Sequence, residues 1–329
     1  MPHAIRTRRP TLGTVVRRAL FAFVLVVAFV ACQADAAGDG GTTDGLLILA
    51  KGESPVLEVL VGGQDAEGPV PVVVPLPAAN TNWIAAGGGG ILAATTTNGR
   101  LFVSDPVDPG GSAAALAGLD WQRADATDGS TAFEGPAWYV TWDPGGRTYA
   151  LLAGDLLGSG DMRLVVVDTA RPAPVEIALQ RPLLAAPPVW LDADRIALVT
   201  GASAAPETLV VEVASGEVSE GPAGARRIAV SGDGKVVATS GGPDAPIVIR
   251  STRAWLAEDG TSTGTIAPPD GVTEAIAIAL DADGQRLAVV WLSADGAPRY
   301  DIHDGTDGWR RVFDATVPGA TSAAVAWLR

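Results

Sequence analysis

A pattern of short apolar runs separated by Asp- or Gly-rich turns recurs along most of this chain. Five segments share this design, at residues 83–96, 139–154, 189–201, 228–242 and 276–293. Each holds one apolar run, a turn, and a second run rich in Val, Ala and Leu. Because Asp and Gly tolerate the left-handed backbone of tight turns, each segment predicts a β-hairpin.

Further apolar runs follow each hairpin. The third runs lie at residues 100–105, 162–168, 208–213, 245–250 and 298–304, and weaker fourth runs include 175–180 and 309–315. The units begin about every 40–55 residues. Four antiparallel strands per unit at this period are typical of the blades of a β-propeller.

The two ends of the repeated region complement each other. Residues 321–329 form one apolar run with no hairpin partner after it, whereas 46–51, 55–61 and 70–76 form three runs with no first strand before them. Joined, they complete a sixth blade and remove an exposed strand edge. We therefore predict an all-β fold over residues 46–329, a six-bladed β-propeller closed by three N-terminal strands and one C-terminal strand.

Apolar residues occupy both phases of the predicted strands, as expected when neighbouring blades cover both faces. The rival fold, two packed β-sandwiches, explains the number of strands but not the matching unpaired runs at the two ends. The segments SGDGKVVATSGG (231–242) and LDADGQRLAVVW (280–291) resemble the repeats of TolB-like and WD-type propellers. This resemblance implies a fold and carries no functional residues.

The N-terminal 31 residues have the features of an export signal. Residues 1–18 are basic, and Ala19–Ala31 is an uninterrupted apolar run of thirteen residues. A helix of that length rises about 20 Å, short of the roughly 30 Å hydrocarbon core, which favours a cleaved signal peptide over a membrane span. Thr7-Arg8-Arg9 is similar to a twin-arginine signal, but Pro10 and Thr11 fit that pattern poorly and the general secretory route is the default.

Cys32, the only cysteine, directly follows the apolar run. Phe29-Val30-Ala31-Cys32 resembles the lipobox of bacterial lipoproteins, although Phe29 replaces the usual Leu. The resemblance implies cleavage before Cys32 and attachment of a lipid to its sulfur. Residues 33–45 lack periodicity and are rich in Gly, Ala and Asp, so we predict a flexible tether over residues 32–45. The protein would then be anchored on the extracytoplasmic side of a bacterial membrane. The alternative is an ordinary secretory signal followed by an incidental thiol.

The charge of the chain is asymmetric. Five of its 23 basic residues lie within residues 1–31, which leaves 18 basic and 37 acidic side chains and a formal charge of −19 for the remainder. Such a body repels phosphate backbones, so we do not expect a nucleic-acid partner.

The sequence lacks the usual parts of nucleophilic or zinc-assisted catalysis. His303 is the only histidine after the signal peptide, and we expect it on the surface of an outer strand. The string GTSTG at residues 260–264 matches G-x-S-x-G in its letters, but a motif of this kind carries no function without its structural context. The acidic turns at 281–284 and 192–194 superficially resemble calcium loops, but hairpin geometry explains them. We expect most acids to lie in solvated turns, and we expect no metal or other cofactor.

Tryptophans and a few charged residues mark the first strands, which line the axis of a propeller. The Trp side chains either fill the wedges between blades or line an axial pocket as stacking platforms, and filling is the favoured interpretation. Arg226, Arg227 and Glu274 lie where first strands begin and could present charge at the channel mouth. The candidate axial pocket consists of Trp83, Trp138, Trp190, Arg227 and Glu274.

Three functional hypotheses follow. The leading one is a non-catalytic binding or scaffold module of the cell envelope that holds a protein partner or a small-molecule ligand. The second is a propeller enzyme of the gluconolactonase or sugar-dehydrogenase kind. Such enzymes need acids and Asn around an axial metal, or a basic pocket for a quinone, and the scarcity of Asn counts against the metal version. The third is carbohydrate binding through axial Trp residues.

Overall fold

The computed structural model describes residues 45–52, 55–61, 70–106, 116–124, 136–154, 162–169, 174–179, 186–200, 205–316 and 320–328. The predicted signal peptide, Cys32 and nearly all of the predicted tether lie outside these ranges, so those assignments stay predictions. None of the helices within the described ranges combines the length and apolarity needed to cross a membrane.

The strands of the described residues form six four-stranded antiparallel sheets, the blades of the fold. Blade 1 contains β1 (Leu46–Lys51), β2 (Val56–Val61), β3 (Val70–Val74) and β24 (Ser322–Trp327). Blade 2 contains β4 (Thr81–Ala86), β5 (Leu92–Thr96), β6 (Leu101–Ser104) and β7 (Trp121–Arg123). Blade 3 contains β8 (Ala137–Trp142), β9 (Thr148–Ala153), β10 (Met162–Asp168) and β11 (Val175–Leu179).

The second half of the chain continues the same order. Blade 4 contains β12 (Val189–Trp190), β13 (Arg195–Thr200), β14 (Glu207–Glu212) and β15 (Glu217–Glu220). Blade 5 contains β16 (Arg227–Val230), β17 (Val236–Ser240), β18 (Ile247–Ser251) and β19 (Gly264–Ile266), with a one-turn helix at Thr252–Leu256. Blade 6 contains β20 (Val272–Leu280), β21 (Arg286–Ser293), β22 (Pro298–Asp304) and β23 (Arg310–Thr316). Short 3₁₀ turns occupy Gly88–Gly90 and Gly305–Asp307.

The closing blade is assembled from both ends of the repeated region. Strand β24 pairs antiparallel with β1 in a register that runs from Leu46 opposite Trp327 to Lys51 opposite Ser322. The strand order of blade 1 is β24-β1-β2-β3, so β24 takes the inner position that the first strand holds in every other blade. The ring of six inner strands (β24, β4, β8, β12, β16 and β20) confirms the predicted six-bladed propeller.

Strand β1 shows why both phases of the strands are apolar. Leu46 and Ile48 pack against side chains of blade 6, in a cluster with Val290. Leu47 and Leu49 belong to the cluster on the other face, together with Leu92 of blade 2. Successive side chains of a strand point to opposite faces, so a strand covered by two neighbouring blades requires an apolar residue at every position.

The inner strands define the two ends of the propeller axis. We call the end where the six inner strands begin the upper end, and the end where they finish the lower end. The hairpin turns between first and second strands therefore lie at the lower end. Strand β1 also starts there, because Leu328 donates a backbone hydrogen bond to the Gly45 carbonyl at 2.8 Å.

The acidic turns of the lower end are hairpin turns, as predicted. Asp281 is 1% exposed, and its Oδ1 accepts hydrogen bonds from the backbone N–H groups of Gln285 (2.8 Å) and Arg286 (3.0 Å). Gly284 in the same turn has φ of +71°, a conformation that glycine adopts without steric cost. The carboxylate thus satisfies backbone donors of the turn, and its burial differs from the expectation that the acids of these turns are solvated.

The environment of His303 differs from the prediction. It lies on the third strand of blade 6, is 6% exposed, and its Nδ1 is 3.1 Å from the Trp309 carbonyl. Asp301 on the same strand is fully buried, with Arg299 at 3.2 Å and Arg311 at 3.6 Å. The expectation of a surface histidine and of solvated acids was wrong at this place, because two arginines compensate the buried carboxylate.

Candidate functional site

In the part of the chain that the structure describes, two cavities lie along the propeller axis, one towards each end. The lower cavity has a volume of about 110 Å³ and takes side chains from all six inner strands. Its lining includes Trp142, Trp190 and Trp327 and contains no charged residue. It is a small space without charged side chains, where the six inner strands converge.

The upper cavity is larger, about 270 Å³, and has a different chemistry. Its polar and aromatic lining consists of Lys51, Trp83, Tyr139, Arg227 and Ser322. The other lining residues are apolar and come mainly from β16, β20 and the segment before β12. Two lining residues are basic and none is acidic, although the mature chain is strongly acidic.

Lys51 ends strand β1 at the upper end, directly opposite Ser322. Its side chain is partly buried, and burial lowers the pKa of its ammonium group to about 8. The Nζ atom lies 5.9 Å from the ring centroid of Trp83, within the range of a cation–π contact. Within the described part of the chain no carboxylate forms an ion pair with Lys51.

Arg227 begins strand β16 and is held by the backbone. Its Nε donates to the Ile276 carbonyl at 2.8 Å, a hydrogen bond from blade 5 to blade 6, and its Nη1 donates to the Arg226 carbonyl at 3.0 Å. Burial lowers the pKa of its guanidinium, and the charge of Glu274 acts in the opposite direction. Two hydrogen bonds to carbonyls fix the plane of the group without neutralising it.

Trp83 and Tyr139 form the aromatic part of the upper cavity. Their rings meet edge to face, with centroids 5.3 Å apart and an interplanar angle of 79°. The Trp83 indole donates to the Val140 carbonyl at 3.0 Å, which ties blade 2 to blade 3. Burial raises the pKa of the Tyr139 hydroxyl, and the nearby charge of Arg227 opposes this shift.

The five residues predicted for an axial pocket are divided by the structure. Arg227 lines the upper cavity, Trp190 lines the lower one, and Trp83 lines both. Trp138 lines neither, and its indole donates to the Gly154 carbonyl of its own blade at 2.6 Å. Glu274 also lines neither, and its carboxylate lies 3.7 Å from Arg226.

Lys51 was missed by the sequence analysis, although the sequence contains a signal for it. The chain has two lysines, and Lys51 ends the otherwise apolar run LLILA. An ammonium group directly after five buried residues of a strand has a restricted route to water. Its juxtaposition with Arg227, however, depends on the closure of the ring.

The upper cavity presents positive charge, hydrogen-bond donors and an aromatic surface. Its lining contains no His, Cys or carboxylate residue among those that the structure describes. Nowhere in the described ranges do three or more His, Cys, Asp or Glu side chains form a group suited to a metal ion. The arrangement is suited to holding a ligand.

The fold is shared with solved propellers. TolB from Acinetobacter baumannii matches with a TM-score of 0.59 and 13% identity over 88% of this chain and 67% of that chain. A chain of a nidogen/laminin complex matches with a TM-score of 0.58 and 10% identity over 87% of this chain and 98% of that chain. No family model and no curated protein sequence matches the chain. By its structure the chain is a six-bladed β-propeller similar to that of TolB.

Proposed function

We propose that this chain is a lipid-anchored binding module of the bacterial cell envelope, tethered through Cys32, that presents the upper end of its axis to an envelope protein or a small-molecule ligand. The observation that carries the proposal is the placement of two features at opposite ends. Strand β1 starts at the lower end beside Leu328, and the larger, charged cavity opens from the upper end. A tether over residues 32–45 would therefore join the propeller at its lower end and leave the upper end unobstructed.

The anchor is tested with Cys32→Ala, expressed in a bacterium that processes lipoproteins. We expect the parent chain in the membrane fraction, with an N-terminal mass that includes the lipid, and the variant in the soluble extracytoplasmic fraction. A chain extended by thirteen residues spans at most about 45 Å, so a lipid at Cys32 restricts the propeller to the membrane surface. Membrane retention of the variant, together with an unlipidated parent, would contradict the proposal.

The end of the axis that contacts the partner is identified by photo-crosslinking from two matched positions. Ala294 and Ala193 are exposed alanines in hairpin turns, the first at the upper end and the second at the lower end. A photoreactive amino acid at residue 294 should give adducts with an envelope partner in intact cells, whereas the same residue at 193 should not. Adducts from residue 193 alone would place the binding surface at the lower end.

A further inference from the structure

The upper cavity also indicates the chemical class of its ligand, an inference that rests on the function proposed above. We propose that it binds a small organic anion, with a carboxylate or phosphate group held by Lys51 and Arg227 and a ring or other flat apolar body against Trp83. A volume of about 270 Å³ lies just below the roughly 300–1,000 Å³ of typical small-molecule pockets. The ligand is therefore about the size of a substituted single ring.

The two cations carry the argument because no acid on the cavity lining balances them. A buried charge costs free energy unless it is paired, and most charged side chains inside proteins have a partner. Lys51 has no ion pair with any described residue. Glu274, whose charge partly offsets that of Arg227, lies outside the cavity lining, 3.7 Å from Arg226. An anionic ligand supplies the missing partner.

Arg227 is prepared for this contact by its hydrogen bonds. A guanidinium group has five N–H donors, and two of them hold the Ile276 and Arg226 carbonyls. The other three form no hydrogen bond to the described residues. Because the group is already oriented, binding an anion costs little additional conformational entropy.

The aromatic and hydroxyl groups complete the site. Trp83 is partly exposed on the cavity wall and is held by its indole hydrogen bond and its contact with Tyr139. A fixed aromatic surface suits a flat ligand body. The hydroxyls of Tyr139 and Ser322 line the same cavity and make no hydrogen bond to the residues that the structure describes. They are additional donors for an anion.

The acidic body does not prevent anion binding at this place. Charges separated by more than about 8–10 Å are largely screened at physiological ionic strength. Lys51 and Arg227 act on a ligand at contact distance inside a partly enclosed space, where charge interactions are stronger than in water. The distant carboxylates mainly slow the approach of the ligand.

The test compares benzoate, phenyl phosphate and the neutral benzamide in ligand-observed NMR titrations of the signal-free protein. We expect both anions to bind about tenfold or more tightly than benzamide, a difference of roughly 1.4 kcal/mol. Whichever of the two anions binds more tightly shows whether the site prefers a carboxylate or a phosphate group. Lys51→Met should lose at least this tenfold advantage, and the matched Lys235→Met should bind like the parent.

The pH dependence gives an independent measurement. The unliganded Lys51 loses its proton at about pH 8, so benzoate affinity should fall about tenfold or more between about pH 7 and about pH 9.5. Lys51→Arg keeps its charge over this range and should bind at both pH values. Acetylation at about pH 8 should also modify Lys51 faster than Lys235, and benzoate should slow only the Lys51 reaction.

The outcomes separate this inference from the proposed function. Equal binding of benzoate and benzamide would contradict an anionic ligand but leave the upper cavity as a binding site. Parent-like benzoate binding by a folded Lys51→Met would do the same. If none of the three probes binds, both the anion and the small-molecule cavity are refuted. Crosslinks from residue 294 to a protein would then still support a protein-binding upper end.

Discussion

The two ends of the propeller axis are built by the same six inner strands but differ in how their charged side chains are partnered. At the lower end, Asp281 is buried and its oxygens accept hydrogen bonds from the turn that it belongs to. At the upper end, Lys51 and Arg227 face a cavity whose lining holds no acid. The hydrogen bonds of Asp281 hold its turn, although burial raises the pKa of its carboxyl. At the upper end the ammonium group of Lys51 has no such hydrogen bonds among the described residues, so its burial costs stability.

The largest expected effect comes from opening the ring, which alters both ends of the axis at once. Deleting residues 321–329 removes β24, which contributes to both cavities, and exposes the edge of β1. We expect aggregation or the loss of a cooperative thermal transition, because an apolar edge strand pairs with other chains. Circular dichroism melting and size-exclusion chromatography measure this.

The control for the deletion appends a short Gly-Ser tail after Arg329, which leaves β24 in place. This extended chain should melt like the parent. A deletion variant that stays monomeric and melts like the parent would show that β24 does not close the ring in solution.

The structural role of the lower end is tested with Asp281→Ala. The substitution leaves the N–H groups of Gln285 and Arg286 without an acceptor and removes the 3.1 Å contact between Asp281 and the Arg286 Nε. We expect a loss of about 2–3 kcal/mol in the free energy of unfolding by chemical denaturation. The exposed Asp283→Ala in the same turn should cost less than about 0.5 kcal/mol. If both substitutions cost the same free energy, the hydrogen bonds of the buried Asp281 would have no special structural role.

At the upper end we expect a substitution to raise the free energy of unfolding. Lys51→Met should stabilise the protein by about 1 kcal/mol at neutral pH. The folded-state pKa of Lys51, about 8, lies below its ordinary value of 10.5, so the unfolded chain binds more protons between these values. The parent should therefore gain stability as pH rises through that interval, and the advantage of the variant should disappear above it. Lys235→Met is the control, and a destabilised Lys51→Met would contradict the comparison.

The fold was predictable because its determinants are local and repeated. Each hairpin carries its own turn residues, and the unpaired runs at 46–76 and 321–329 required a ring. The cavity was less accessible to sequence reasoning. Arg227 and Trp83 were found at the starts of first strands, but Lys51 ends a second strand, and three different blades bring these residues together.

His303 illustrates a further limit. Two acidic residues, Asp301 and Asp304, stand close to it in the sequence. Its burial depends on Arg299 and Arg311, which compensate Asp301 from its own and the adjoining strand. Cross-strand compensation of this kind depends on register, which a repeat pattern does not specify.

The pairing of β24 with β1 also sets the order in which the molecule can be completed. The hydrogen bond between Thr321 and Lys51 joins residues 270 positions apart, so the closing contacts have a very high sequence separation and should form late and slowly. During synthesis β1 emerges long before its inner neighbour. Until β24 is made, the apolar edge of β1 is open to pairing with other chains.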